Sequence, residues 1–254
     1  MGIFHSIPIE LVIIIELLLI SFLIYQIRSI VKLYRAQDKA LPFEEKITTT
    51  FMKRFKQPFA SIITKELIMY YYLFKKVDRI PLRNGSHYSY HKNSSYKIFL
   101  AAILLTAVIE GIGVFFLLHH LVPIISWIHT ILVVYCLLYF ISDYKAVLAK
   151  PITVTSQKLY LHLGIRSNEV ILIENIQYAA KATKSMEEHK KDKSVFNMLL
   201  IDMEGHNVEI MLKEPIIKKT FFGKERPIYS IHIKVDSPSE FIQEVNSRQL
   251  QVCS

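Results

Sequence analysis

The sequence has little glycine and almost no cysteine: seven glycines and two cysteines in 254 residues. None of the glycines forms GxGxxG, GxxxxGKS/T or GxSxG, so dinucleotide, phosphate-loop and hydrolase-elbow sites have no support. HExxH is absent as well. Cys136 lies in an apolar run and Cys253 in the tail, which excludes a disulfide framework and a CxxC metal site. Charge is scarce too, at 21% of residues against 52% hydrophobic, and the mean hydropathy of +0.29 is high for a soluble domain of this length. This balance excludes disorder and points to a membrane. The net charge of +9 is local: residues 1–27 carry −2, 28–97 carry +10, 98–147 carry −1 and 148–254 carry +2.

Residues 7–27 form an apolar run whose formal charges are Glu10 and Glu16, matching the roughly 20 residues that a helical span needs. No positive charge precedes it, while Arg28, Lys32 and Arg35 follow it, so this first segment (1–27) reads as a span with its N-terminus outside rather than as a signal peptide. Residues 98–118 and 124–142 are two further spans joined by a short turn, a helical hairpin within 98–147. Between them, the segment 28–97 reads as a basic cytoplasmic or interfacial belt. In it, Ile47, Phe51 and Phe55 recur at helical spacing among Lys53, Arg54 and Lys56, the pattern of a basic amphipathic helix on anionic headgroups. Each Lys or Arg held near such a surface contributes about 1 kcal/mol. Residues 59–74 are apolar but short, with Lys65 and Glu66 at their centre. An interfacial helix is the expectation for them, because a fourth span would place basic loops on both sides and remove the charge asymmetry. Four spans remain the alternative.

After Lys150 the pattern changes to short alternating runs: 153–155, 159–163, 170–173, 176–182, 195–203, 208–212 and 228–235. Glu204-Gly205-His206-Asn207 reads as a hairpin turn between the fifth and sixth of them. Ser237, Pro238 and Glu240 give a helix-start signal, and Phe241 and Val245 form that helix's apolar stripe. About seven strands closed by one helix over 148–254 predict a small all-β barrel plugged at one end.

Residues 151–155, 159–161, 164–166 and 171–176, with the closing 236–241, resemble bacterial PH-like domains attached to membrane helices. The rest of the chain is similar to a group of uncharacterised multi-pass bacterial membrane proteins, some of which carry a beta-carotene monooxygenase label. That likeness rests on Glu66 with Tyr71-Tyr72, His91-Lys92, Glu110-Gly111 and Asp143-Tyr144-Lys145-Ala146 leading into Pro151, over about residues 60–180. The resemblance implies a cytoplasmic PH-like interaction module at a plasma membrane, in an envelope-stress or antimicrobial-immunity setting. It also places Glu66 in a more apolar helix, which favours the four-span alternative. The group often has a histidine where Phe115 stands here, which weakens an intramembrane metal site in this chain. The oxygenase label is not a site argument.

Ionisable groups inside spans are costly, about 2.5–3.5 kcal/mol for Asp, Lys or Arg at the centre of a span, so Glu16, Glu110 and His129 need an explanation. At 1.5 Å per residue they lie at similar depths, roughly 14, 12 and 8 Å from the outer ends of their helices. Such a cluster can bind a divalent metal, relay protons, or satisfy itself by hydrogen bonds between helices or protomers; self-satisfaction is the expectation. Ala107-x-x-x-Gly111 permits the close helix approach this requires. With four spans, Glu66 and His91 would join the candidates. His119-His120, and His87 with His91, bring no carboxylate or cysteine at metal-site spacing and read as solvated. The mixed-charge run 187–193 reads as a solvated loop, and Lys158, Arg166, Lys181 and Lys184 are scattered among acids.

The sequence therefore predicts a non-catalytic scaffold or accessory protein with three spans and a PH-like module. Its expected partners are anionic lipid and a protein or a second copy; nucleic acid is not among them, and no cofactor is expected. The rival is a membrane-embedded enzyme or carrier that uses a divalent metal or protons at Glu16, Glu110 and His129.

Overall fold

Where residues stay apolar for about 20 positions the chain is helical, and three helices have the length and hydropathy to cross a membrane. The computed structural model describes residues 9–38, 41–76, 85–182, 194–219 and 225–253. The run 187–193 and Lys184 lie outside them. The chain divides into two units, 1–67 and 68–254.

In the first unit α1 (Ile9–Arg35) is followed by α2 (Phe43–Arg54) and the first half of α3 (Phe59–Phe74). The α1 side chains from Val12 to Tyr25 are exposed. Glu44 and Glu45 open α2 and Lys53 and Arg54 close it, each sign at the end of the helix dipole that favours it. Phe51 stacks on Phe55 at 5.7 Å, and Phe55 meets Phe59 edge-on at 5.7 Å.

The second unit begins with the last half of α3 and contains α4 (Tyr96–Leu121) and α5 (Pro123–Ala149), joined at Val122. Ala107 and Gly111 lie on the face of α4 turned toward α5. A β-carbon at Gly111 would stand 3.0 Å from Val133 Cγ1, so this glycine sets the approach of the two helices. Ile68, Met69 and Tyr72 of α3 are buried against protein. The Ser142 hydroxyl donates to the Met69 carbonyl at 2.6 Å, and Lys145 Nζ to the Leu73 carbonyl at 2.6 Å. Leu73 is one of the last four residues of α3, whose carbonyls the helix leaves open, so Lys145 of α5 satisfies one of them, while Ser142 adds a second bond at Met69. α3, with 16 residues, is not among the three long apolar helices.

The remaining elements are β1 (Ser86–Tyr88), β2 (Ile152–Val154), β3 (Lys158–Leu163), β4 (Ser167–Leu172), a 3-10 turn (Ile173–Asn175), β5 (Ile176–Lys181), β6 (Val195–Met198), β7 (Val208–Lys219), β8 (Glu225–Ile233) and the helix α6 (Pro238–Cys253). They do not form the closed barrel expected from the sequence. There are two four-stranded sheets, β1-β2-β3-β4 and β5-β7-β8-β6. Alternation fixes which face of a strand is buried and leaves its partner open; the 3-10 turn is the corner at which the chain leaves one sheet for the other.

Two other expectations change. Residues 204–207 are not a hairpin turn: β6 pairs with β8, in parallel, and β7 pairs antiparallel with β5 and β8. An eighth strand, β1, comes from the segment assigned to the basic belt and pairs with β2. β7 runs past Pro215 because the ladder shifts register between Met211 and Ile216, where a proline has no N–H to contribute. The core is formed by Leu159, Leu161, Ile171, Ile210, Ile231 and Ile233 with Phe241 and Val245, so α6 buries the stripe its sequence announces.

Candidate functional site

The intramembrane candidates fall in both units and are described within each. Glu16, in the first unit, is exposed on α1. Glu110 is exposed on α4, off the face that meets α5, whereas His129 is half-buried in α5. His129 Nδ1 is buried without a hydrogen-bond partner among the described residues. Glu66 is half-buried in the first unit. Of the six basic candidates, Arg28, Lys32, Arg35, Lys53 and Lys56 are exposed. Arg54 is turned inward, donating from Nε (3.1 Å) and Nη2 (2.5 Å) to Gln26 Oε1. Its side chain is half-buried beside α1.

The strongest polar constellation lies where the helical hairpin meets the sheets. Asp143, 2% exposed, is near the end of α5. Its Oδ2 accepts from the Tyr96 hydroxyl at 2.5 Å and lies 3.3 Å from Arg166 Nε; its Oδ1 accepts from the Ile165 backbone N–H at 2.9 Å. Arg166 also sits over the Tyr96 ring at 5.6 Å and donates to the Leu200 carbonyl at 3.1 Å. Gly164, with φ +54°, makes the turn that aims Ile165 at the carboxylate, and a β-carbon on it would be driven into Asp143. The Gly164 N–H donates to the Tyr90 hydroxyl at 3.2 Å. A buried carboxylate satisfied in this way is a joint, with its donors coming from α4 and the β3–β4 turn. Lys150 lies at the C-terminal end of α5, where the helix dipole favours a cation. It is 3% exposed, donates to Asn168 Oδ1 at 3.2 Å and faces the Tyr72 ring at 5.1 Å.

A second set of contacts holds residues 86–95 to the same sheets. Asp236 accepts from the N–H groups of Lys92 (3.1 Å) and Asn93 (2.8 Å). Glu204 accepts from the Ser94 hydroxyl (2.7 Å) and the Ser95 N–H (2.5 Å), at the N-terminus of α4, where the dipole favours an anion. Burial pushes both carboxyls up, yet bonds from Ser94, Ser95 and Lys234 hold Glu204 below its ordinary range, and bonds from Ser89, Asn93 and Lys92 do the same for Asp236. Burial lowers the pKa of His91, against the nearby Asp236. His87 is exposed, in keeping with the solvated reading, although its Nδ1 lies 3.0 Å from Thr153 Oγ1; His91 is half-buried, so the solvated reading does not hold for it. At the hairpin turn His119 stacks on Phe115 at 5.1 Å.

Among the described residues, one group of three side chains can offer ligand atoms to a metal ion: His206, Glu209 and His232, whose ligand atoms all lie within 4.8 Å of one another. The cross-strand pair Glu209 and His232 places two of them side by side, and His206, three residues before Glu209, stacks on His232 with ring centroids 4.2 Å apart. Sequence reasoning missed this group because its members meet only through the β7–β8 register. The available signal was the His-x-x-Glu spacing together with a histidine on an otherwise apolar strand.

No family model matches the chain, and neither a curated protein nor a solved structure does.

Proposed function

We propose that the chain is a non-catalytic scaffold of a bacterial plasma membrane, with its N-terminus outside and a PH-like interaction module on the cytoplasmic face. The observation that carries this reading is the buried Asp143 joint, which holds the module in one pose at the end of the helical hairpin. In that pose the outer face of the first sheet presents Tyr160 opposite Val170, with exposed Leu172 beside it, an apolar stripe suited to a protein partner. The basic side chains Arg28, Lys32, Arg35, Lys53 and Lys56 serve as the contact with anionic headgroups. The resemblance to membrane-attached PH-like proteins supports the same role. In this reading Glu110, exposed on α4, is satisfied by another helix or a second copy rather than used in catalysis.

A photo-reactive residue placed at Tyr160 or Val170 in cells is expected to give one discrete protein adduct, which Leu172→Glu removes. Absence of an adduct at both positions overturns the reading.

A further inference from the structure

We infer that His206, Glu209 and His232 form a divalent-cation site, best suited to zinc, on the second sheet. Two imidazoles and one carboxylate are the donors that a borderline-soft ion such as Zn²⁺ takes, and three protein ligands leave a fourth position for water or a further side chain. The strand register brings that further group near: Glu209 pairs with His232, and His232 pairs with Asn197 of β6, so the three lie in one row on the same face. This face is opposite the one carrying Ile210, Ile231 and Ile233. The site is sheltered, with His232 2% and His206 9% exposed.

One edge of a bound state is already in place. His206 Nε2 lies 3.2 Å from Glu209 Oε1, about the separation of two ligand atoms around a tetrahedral ion with bonds of about 2.0–2.1 Å. The two rings stack at an interplanar angle of 14°. A metal lies near the plane of each imidazole it binds, so parallel rings cannot both ligate it, and binding turns one ring out of the stack. That rotation also brings in ligand atoms that now lie as much as 4.8 Å apart.

The location gives the ion a structural role. The turn that carries His206 also carries Glu204, which holds Ser94 and Ser95 at the start of α4. The neighbouring Asn207 exchanges two hydrogen bonds with Val235, next to Asp236, which holds Lys92 and Asn93. An ion joining this turn to β7 and β8 stiffens the attachment of the hairpin.

The test is titration of the full-length, tag-free protein in detergent, stripped with chelator, using ZnCl₂ and then Co²⁺ as a visible-absorbing probe. One Zn²⁺ per chain is expected, with a rise in Tm and slower amide exchange over residues 92–95. His206→Gln and Glu209→Gln are each expected to weaken binding by at least about tenfold and to leave the circular dichroism of the metal-free protein unchanged. Glu110→Gln and His129→Gln are expected to bind as the parent does. The inference is overturned if the parent binds no stoichiometric Zn²⁺, if both sheet variants retain parental affinity, or if the helix variants are the ones that lose it.

Discussion

Three asparagines do work that neighbouring backbone cannot. Asn246 of α6 donates to the Ala179 carbonyl and accepts from the Ala179 N–H, both at 2.9 Å, covering the edge of β5 as another strand would. Asn175 does the same for Glu214 at the β7 irregularity, and Asn207 for Val235. A carboxamide offers a donor and an acceptor side by side, which is why this residue type fits all three places. Asp143 and Gly164 form a stricter pair. Gly164→Ala combines a positive φ with a collision against a carboxylate, and a loss of about 2 kcal/mol or more is expected on denaturation in detergent. Asp143→Ala leaves the Tyr96 hydroxyl and Ile165 N–H without their acceptor and Arg166 without its counter-charge, with an expected cost of about 3 kcal/mol by the same measurement.

The α4–α5 hairpin contains an internal control for helix packing. Gly111 meets Val133, while a β-carbon at Gly113 meets nothing within 4 Å. Gly111→Leu is expected to lower Tm clearly and Gly113→Leu hardly at all, as read by thermal unfolding in the same detergent. The segment before α4 responds instead to protons. Glu204, Asp236 and His91 all have pKa values below their ordinary ones, so the folded state binds fewer protons than the unfolded one and these contacts stabilise more as pH rises. Amide protection of residues 92–95 is expected to weaken first below about 6.5, the ordinary histidine value, and further below about 4.5 as the carboxylates protonate. Hydrogen exchange across that range measures it. Long apolar runs, the start of α6 and the buried faces of β3 and α6 were legible because each depends on residues close in sequence. The parallel β6–β8 pair, the three-residue β1 and the Asp143 joint were not, because each depends on segments brought together only by the fold. Arg54 shows the same limit: its bond to Gln26, one helix earlier, depends on a contact that its charge does not announce.

For the whole molecule, the proposed orientation rests on charge placement, and two exposed positions test it. In a chain otherwise free of cysteine, His120→Cys at the hairpin turn is expected to react with an impermeant reagent from outside intact cells, and Met203→Cys in the sheet region only after lysis. The hairpin enters and leaves the sheet region almost without a linker: α4 begins at Tyr96, directly after residues held by Glu204 and Asp236, and only Lys150 and Pro151 separate the end of α5 from β2. The apolar stretches of its helices, 98–118 and 124–142, measure about 32 and 28 Å against a hydrocarbon core of about 30 Å, so they match a bilayer of ordinary thickness. In a thinner bilayer the hairpin becomes the longer of the two and leans, by an amount that changes with bilayer thickness. Without a hinge to absorb it, that angle passes to the sheets as a lever arm passes on rotation, so the thickness of the surrounding lipid becomes a mechanical input to the attitude of the whole second unit.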